Sequence, residues 1–329
     1  MAYDLEFEKP LAELEKKITA LQRKGDRLKP DERTQLQALE QDLLHRTEAI
    51  YRDLTPWQTV LVARHKDRPH TTDYVKLICD NFFEMHGDRT FGDDHAIIAG
   101  PTSIGDQKVM VIGHEKGRDM KERIFRNNGM PHPEGYRKTA RLMRQAEKFA
   151  MPIVAFIDVS GASPGLEDEE RGQSEAIAAN LYLMSRLHVP IVAIVIGEGG
   201  SGGAMAISIA DRILMLENSY YTAAAPEAAA SIMWRDSKQA PQAAEAMHIS
   251  AREVYNLELA DELIAEPLGG AHRNYQQAAE NIKAAILKQL ATLKELSIEQ
   301  LLEQRYQKFR VIGPYGRAEM PQVSAISSV

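Results

Sequence analysis

The sequence predicts an α/β protein whose sheet is covered on both faces. Three observations carry that reading. Apolar runs of strand length occur at 153–158, ending in the acid Asp158, and at 191–196, as expected for strands buried on both sides. Helical periodicity fills the segments between and after them. A glycine-dense turn, Gly197-Glu198-Gly199-Gly200-Ser201-Gly202-Gly203-Ala204, directly succeeds the second run. Composition agrees: the 329 residues are 44% hydrophobic and 26% charged, enough to bury a sizeable core. A net charge of −7 argues against an unspecific nucleic-acid binder, and no specific nucleic-acid partner is predicted. The single cysteine, Cys79, excludes a disulfide framework and any cysteine-based zinc site in this chain. Residues 1–8 are acidic rather than apolar, and the longest uncharged apolar run, 199–210, is too short to span a bilayer. The expectation is a soluble, cytoplasmic protein without a membrane partner.

Taken in order, 22 of the first 55 residues are charged. Apolar positions recur at Leu11, Leu14, Ile18 and Leu21, then at Leu36, Leu39, Leu43 and Ile50, with Gly25 and Pro30 between them. That spacing predicts an α-hairpin over 1–55, which must pack on the main body or a partner because its apolar stripes are narrow. Residues 96–99 and 108–112 bracket Gly105-Asp106 and predict a β-hairpin. A helix over 134–149 comes after Pro133. After the 153–158 strand, one helix is predicted over 169–187, with acids at 167–170 complementing its dipole and Ile177, Leu181 and Met184 on one face. The 191–196 strand leads into a short helix over 202–210 and strands at 213–216 and 220–224. Beyond Pro226 the reading is mostly helical, with helices at 241–247, 275–293 and 298–309, the last opened by the capping pair Ser297 and Gln300. The main domain is expected over 56–296, and a C-terminal helix with a frayed tail over 297–329.

The glycine turn supports several readings. Gly197, Gly199 and Gly202 match a dinucleotide turn with Glu217 as the ribose acid, although the helical stretch after Glu217 lacks the further strand–helix units such a fold needs. Gly199, Ser201 and Gly203 match a nucleophile elbow, with Asp211, Asp236 or Asp261 as acid and His248 or His272 as base. A third reading uses no side chain: consecutive glycines at a strand-to-helix turn let main-chain N–H groups converge on one negative oxygen. A fourth is glycine required only for close helix–strand packing.

Val195-Ile196 with the glycine turn resembles the carboxyltransferase subunit alpha of bacterial acetyl-coenzyme A carboxylase. So do Glu169-Glu170-Arg171-Gly172-Gln173-Ser174-Glu175-Ala176-Ile177-Ala178, Gly129-Met130-Pro131 with Pro133-Glu134-Gly135-Tyr136-Arg137-Lys138, and Pro267-Leu268-Gly269-Gly270-Ala271-His272-Arg273. Further similarity runs from Phe7-Glu8-Lys9-Pro10 through Arg68-Pro69 and Asp73-Tyr74-Val75 to Arg305-Tyr306, in order along nearly the whole chain.

The resemblance implies a crotonase-like spiral of ββα units and transfer of a carboxyl group from carboxybiotin to acetyl-coenzyme A, giving malonyl-coenzyme A for fatty acid synthesis. It implies that biotin's ureido oxygen becomes an oxyanion and its nitrogen takes the acetyl methyl proton, so that no protein side chain need act as base. Carried over, Gly202 and Gly203 are the oxyanion donors and Gly199 and Gly200 shape the turn. Asp158, Gly161, Ala162, Ser163, Pro164 and Gly165 are expected beside the carboxybiotin ring. The implied partners are a beta subunit in an α₂β₂ assembly, a biotin carboxyl carrier protein and a biotin carboxylase, with zinc in the beta subunit and none here.

Two departures stand out. Members commonly read Asp-Thr-Pro-Gly-Ala-Tyr-Pro-Gly where this chain has Asp158-Val159-Ser160-Gly161-Ala162-Ser163-Pro164-Gly165, which predicts a looser loop. A usual Ser-Pro-Glu-Gly-Cys-Ala is Ala225-Pro226-Glu227-Ala228-Ala229-Ala230, so any positive φ at position 228 would be strained. The looser loop motivates the alternative of a non-catalytic paralogue acting in assembly or regulation. Arg137, Arg141, Arg144 and Lys148 fall on one helical face, near Lys116, Arg118, Lys121, Arg123 and Arg126. Among these, Lys116, Arg118, Arg141 and Arg144 are candidates for coenzyme A phosphates or an acidic carrier, against the plainer reading of a solvated face. His114, before Glu115-Lys116-Gly117, is read as structural against the alternative of a ligand contact, and Cys79, Trp57 and Trp234 are read as packing residues.

Overall fold

In the computed structural model, which describes residues 3–313, the charged N-terminal segment forms α1 (Lys9–Gln22) and α2 (Pro30–Arg52). Leu11, Leu14 and Ile18 are buried, as the spacing predicts, and the pair docks on the body through polar contacts. Glu8, fully buried, accepts from Tyr51 Oη at 2.7 Å and from Arg273 at 3.3 Å, and Asp4 meets His65 Nε2 at 2.7 Å. Two short helices come next, α3 (Pro56–Ala63) and α4 (Thr71–Ile78). Trp57 packs beside Val60 and Tyr220, and half-buried Cys79 packs on the core next to α4, its thiol pushed up to about 11 by burial.

The first β-hairpin joins β1 (Ile97–Ile104) to β2 (Gln107–His114) through Gly105-Asp106, with Gly105 at φ +55°. Then come α5 (Met120–Phe125), α6 (Pro133–Lys148) and β3 (Ile153–Val159). The helix expected over 169–187 is two, α7 (Leu166–Glu170) and α8 (Gln173–Met184), because Gly172 adopts φ 82° between them. The buried face of α8 is Gln173, Ala176, Asn180 and Met184, while Ile177 and Leu181 are only half-buried. Two of those four are amides, and a periodicity of apolar residues passes over them.

The second apolar run extends through the glycines as β4 (Ile191–Gly200), and α9 is only Ser201–Met205. Next are β5 (Arg212–Leu216), β6 (Tyr220–Thr222), α10 (Pro226–Trp234), α11 (Ala240–Ala246) and α12 (Ala251–Asn256). Trp234 packs against the alanines of α10 and α11. β7 (Glu262–Ile264), α13 (Tyr275–Lys294) and α14 (Ile298–Arg310) complete the described chain, β7 lying in a stretch read as helical. The expected fraying over 318–329 lies outside the described residues. Among the described residues no helix is long and apolar enough to cross a membrane.

The strands form one sheet in the order β1-β2-β3-β4-β5-β7, parallel from β2 onward, with β6 beside the end of β4. Alternate strand residues face opposite sides. Ile153, Ala155 and Ile157 meet Leu142 and Met143 of α6 and Val254 of α12, while Val154, Phe156, Val192 and Ile194 meet Tyr74 of α4 and Ile282 and Ile286 of α13.

Arg305 ties α14 to this sheet. It is 1% exposed, donates to both carboxylate oxygens of Asp211 at 2.8 Å, and donates to the carbonyls of Met184, Leu187 and Val189 at 2.8–2.9 Å. Removing one partner of such a buried pair typically costs about 3–5 kcal/mol. Arg305→Ala is therefore expected to lower the urea-unfolding free energy by that amount, and Arg305→Lys, with one ammonium for five contacts, to recover little of it.

Candidate functional site

Strands β2, β3 and β4 end at one edge of the sheet, bringing Glu115-Lys116, Asp158 and Glu198 together. In parallel α/β sheets the carboxyl ends of strands form ligand crevices. Here the β3–β4 ladder breaks. Ile157 pairs with Val195, but the next pair is Val159 with Gly199, so Ile196, Gly197 and Glu198 stand opposite Asp158 alone. Side chains take over the displaced backbone groups. Arg68 Nε donates to the Ile196 carbonyl at 2.7 Å, and the Glu198 N–H donates to Asp158 Oδ1 at 3.0 Å. Gly197 fits only as glycine, because a Cβ there would lie 2.4 Å from that same Oδ1.

The turn after β4 is equally close to its neighbour. A Cβ on Gly200 would sit 2.1 Å from the Ser160 carbonyl oxygen, and one on Gly203 would sit 2.6 Å from the Gly161 carbonyl carbon. Ser201 turns the chain with φ +52°, a value few non-glycine residues adopt. The amides of Gly202 and Gly203 lie in the first turn of α9, where no intrahelical acceptor exists. Among the described residues neither has a hydrogen-bond partner. Gly202 is half-buried and Gly203 buried, and the nearest atom to a Cβ on Gly202 is Ile177 Cδ1 at 3.5 Å.

Around the ladder break lies a cluster of charges. Lys116 Nζ reaches Asp158 at 2.6 Å and Glu198 at 2.5 Å, Arg64 reaches Glu198 and Glu227 at 2.5 Å, and Tyr220 donates to Glu198. Burial alone would raise the Glu198 carboxyl, but the charges of Lys116 and Arg64 outweigh it and hold it at about 2. His114, 0% exposed, is lowered to about 3 by burial and by Lys116, and its Nδ1 faces the Asp158 N–H at 3.4 Å. A cavity of about 210 Å³ adjoins the cluster, lined by Arg64, His65, His70, Arg123 and Ser160 with the three charges. Gly202 and Gly203 do not line it.

The other expected site residues have defined contacts of their own. Asp158 turns its carboxylate to Lys116 and the Glu198 amide. Ser163 donates its hydroxyl to Asp168 at 2.5 Å and its N–H to the Pro131 carbonyl at 3.0 Å. The Gly165 N–H donates to Asp168 at 3.2 Å, and Gln173 donates to the Ser163 carbonyl at 2.8 Å. The loop expected to be looser is tied at Ser163 and Gly165 to Asp168, Pro131 and Gln173. Gly161 and Ala162 are half-buried against Gly203, and Pro164 is exposed. Ala228 lies inside α10 without positive φ, so no strain arises there.

The basic candidates do not form one patch. Lys116 is held in the cluster, and Arg118 is paired with Asp73 and donates to the Arg68 carbonyl at 2.8 Å. Arg141 donates to the carbonyls of Gly87 and His86 at 3.1 Å. Arg144 lines a separate groove with Tyr182, Arg186 and His188. Sequence reasoning missed Arg64, Arg68 and Glu266. Arg68 pairs with Glu266 at 2.6 Å, and Glu266 also accepts from the Ala271 N–H at 2.6 Å, which explains the Gly269-Gly270 kink beside it.

The side-chain readings of the turn fail on geometry. Asp211 belongs to Arg305, Asp261 to Lys308, His248 to Glu253 at 3.0 Å, and His272 stacks on His65 at 3.8 Å, so no acid–histidine chain reaches Ser201. Gly197 and Gly199 are strand residues rather than a phosphate loop, and Glu217 accepts from the Glu266 N–H at 3.0 Å. Among the described residues no group of three His, Cys, Asp or Glu side chains is placed to hold a metal.

Fold and site together define an α/β protein with unpartnered main-chain donors at the carboxyl edge of its sheet and no free acid–base pair beside them. A family profile described as acetyl co-enzyme A carboxylase carboxyltransferase-like matches residues 4–313, and the chain belongs to that family. It is 52% identical over 309 residues to the acetyl-coenzyme A carboxylase carboxyl transferase subunit alpha of Geobacter metallireducens, covering 94% of this chain and 96% of that one. It is 53% identical over 312 residues to the same subunit of Vibrio vulnificus, covering 94% and 98%. Among solved structures, transcarboxylase 12S aligns with a TM-score of 0.54 at 18% identity, covering 73% of this chain and 44% of that one. The Pseudomonas malonate decarboxylase hetero-dimer aligns with a TM-score of 0.53 at 16% identity, covering 66% and 88%. These likenesses establish the crotonase-like fold that the motifs implied.

The close packing of the turn makes its glycines unequal. Gly200→Ala and Gly203→Ala should each destabilise the protein by about 1–3 kcal/mol through overpacking, whereas Gly202→Ala should stay within about 0.5 kcal/mol; thermal unfolding of the three variants checks the contrast. His272, fully buried, is lowered to about 3 by burial and then by His65 and nearby arginines. The unfolded chain therefore takes up this proton below pH 6.5 while the folded one does not until about pH 3, so stability falls across that window. His272→Gln should remove about 2 kcal/mol of the loss seen between pH 7 and pH 5, measured by urea midpoints.

Proposed function

We propose that this chain is the alpha part of a carboxyltransferase that moves a carboxyl group from carboxybiotin to acetyl-coenzyme A, forming malonyl-coenzyme A for fatty acid synthesis. The observation that carries the reading is the pair of unpartnered amides at Gly202 and Gly203 in a chain of this family. Carboxybiotin, presented by a carrier protein, supplies the carboxyl group and leaves a ureido oxygen that carries negative charge. The two amides donate to that oxygen, and the first turn of α9 adds its partial positive charge. Losing one such donor costs about 10²–10³ in rate in acyl-transfer enzymes.

The surrounding residues support a role without a protein base. Glu198 is held at about 2 and fully engaged, and His114 is neutral, buried and held at about 3. Asp158 accepts from Lys116 and from main chain. Neither Glu198 nor His114 is poised near neutrality, where a general base works best. The relatives named as carboxyl transferase alpha subunits favour the catalytic reading over a non-catalytic paralogue.

An alpha subunit requires a beta partner. We assign to that partner the donors for the thioester enolate and any structural zinc, and expect an α₂β₂ core served by a biotin carboxyl carrier and a biotin carboxylase in the cytoplasm. Co-purified with its beta partner and given the carboxylated carrier, this chain is expected to form malonyl-coenzyme A, and neither chain alone should do so. Absence of product from the reconstituted pair, with both chains folded, overturns the reading.

A further inference from the structure

We infer that Lys116 is a positioning residue for the Gly199–Gly203 turn, acting by bridging Asp158 at the end of β3 to Glu198 on β4. This role deepens the proposed function and rests on it for its kinetic test. The ladder break leaves Glu198 paired with Tyr220 of β6 but without a partner on β3, and Asp158 Oδ1 replaces that partner by accepting the Glu198 N–H at 3.0 Å. That replacement sets two carboxylates side by side in a buried place, with Asp158 3% and Glu198 5% exposed. Their repulsion would part the two strand ends. Lys116 Nζ, at 2.6 Å from one and 2.5 Å from the other, is the cation common to both.

What the strand ends hold is the turn itself. Position 197 lies on Asp158, position 200 on the Ser160 carbonyl and position 203 on Gly161, with a Cβ at each meeting those atoms at 2.4, 2.1 and 2.6 Å. Opening the first contact therefore shifts the register of the next two. Lys116 has no reach to spare for a substrate phosphate, which separates this role from the one its motif suggested.

Other charges facing the pair do not replace it. Arg64, from the end of α3, meets Glu198 and Glu227 of α10, and Arg68 is matched by Glu266. Tyr220 of β6 donates to Glu198, Tyr74 of α4 is held protonated by burial, and His114 is neutral. Arg123 of α5, His65 and His70 line the adjoining cavity, His70 lying 3.3 Å from Glu115. With Lys116 removed, a proton on Asp158 or Glu198 is the remaining way to relieve the repulsion.

The test uses the full chain with its beta partner. Lys116→Met is expected to lower kcat about 100-fold at pH 8, the scale of a misplacement near 1 Å, with KM changed less than about threefold, the change that uniform binding would require. Between pH 8 and pH 6 its kcat relative to wild type should rise at least about fivefold as a carboxyl takes up a proton. Lys116→Arg should return kcat to within about tenfold of wild type, because it restores the bridging charge. A loss confined to KM makes Lys116 a substrate ligand, and a kcat within threefold makes it dispensable; either overturns the inference, as does a loss that neither low pH nor arginine relieves. Amide hydrogen exchange on the chain alone gives a readout that survives failure of the activity. Lys116→Met should speed exchange at 198–203 at least about tenfold with the β1 and α13 amides unchanged, and unaltered exchange there overturns the positioning role even if the pair proves inactive. Should Lys116→Met not fold, Lys116→Gln carries the same comparison: exchange at 198–203 faster by at least about tenfold supports the role, and unaltered exchange there overturns it.

Discussion

The break in the β3–β4 ladder is the constraint on which the site depends. Three residues of β4 stand against one of β3, so backbone groups in the middle of the sheet lose their partners. Buried main-chain groups must be paired with something. Arg68 answers the Ile196 carbonyl and Asp158 the Glu198 amide, and each brings a charge that needs a counter-charge in turn. Glu266, Lys116 and Arg64 supply those, and Glu266 reaches the 269–271 kink. One irregularity in a strand thereby recruits residues from five separate segments of the chain. A bulge next to a site re-aims the chain beyond it, and the segment re-aimed in this protein is the glycine turn.

The charge cluster is not a source of net stability. Desolvating ions costs several kcal/mol each, and close pairing little more than offsets it. Its effect is geometric: Lys116, Arg64, Asp158, Glu198, Arg68 and Glu266 each have at least two partners, so few arrangements satisfy all of them. The same logic applied at Arg305, which satisfies three carbonyls and Asp211 at once, serves a different end, fastening α14 across the edge of the fold. In the site the result is that Glu198 is held at about 2 and His114 at about 3, while the amides of Gly202 and Gly203 stay unpartnered.

Much of the architecture is legible in the sequence. The strands at 153–158 and 191–196 and the helix after Pro133 appear within a few residues of their expected ends. Failures have local causes. The helix expected over 169–187 is divided because Gly172 takes a left-handed conformation, and that over 202–210 ends early at Met205. β7 is three residues long, too short for a period-two pattern to register. Within the site, the glycines are legible because conformational freedom and close approach leave a compositional trace. Arg68 and Glu266 lie within or beside motifs, but their pairing spans 198 residues and leaves no trace in spacing.

Read alone, the chain of residues specified where strands and helices lie, that a glycine-rich turn opens a helix at a strand end, and which family its motifs resemble, since hydrophobic periodicity and backbone freedom are properties of neighbouring residues. It did not specify which ion pairs and main-chain contacts Lys116, Arg118 and Asp158 would make. That was settled by the fold, because an ion pair between segments depends on three-dimensional distance and burial, and charge alone does not disclose which partner is near.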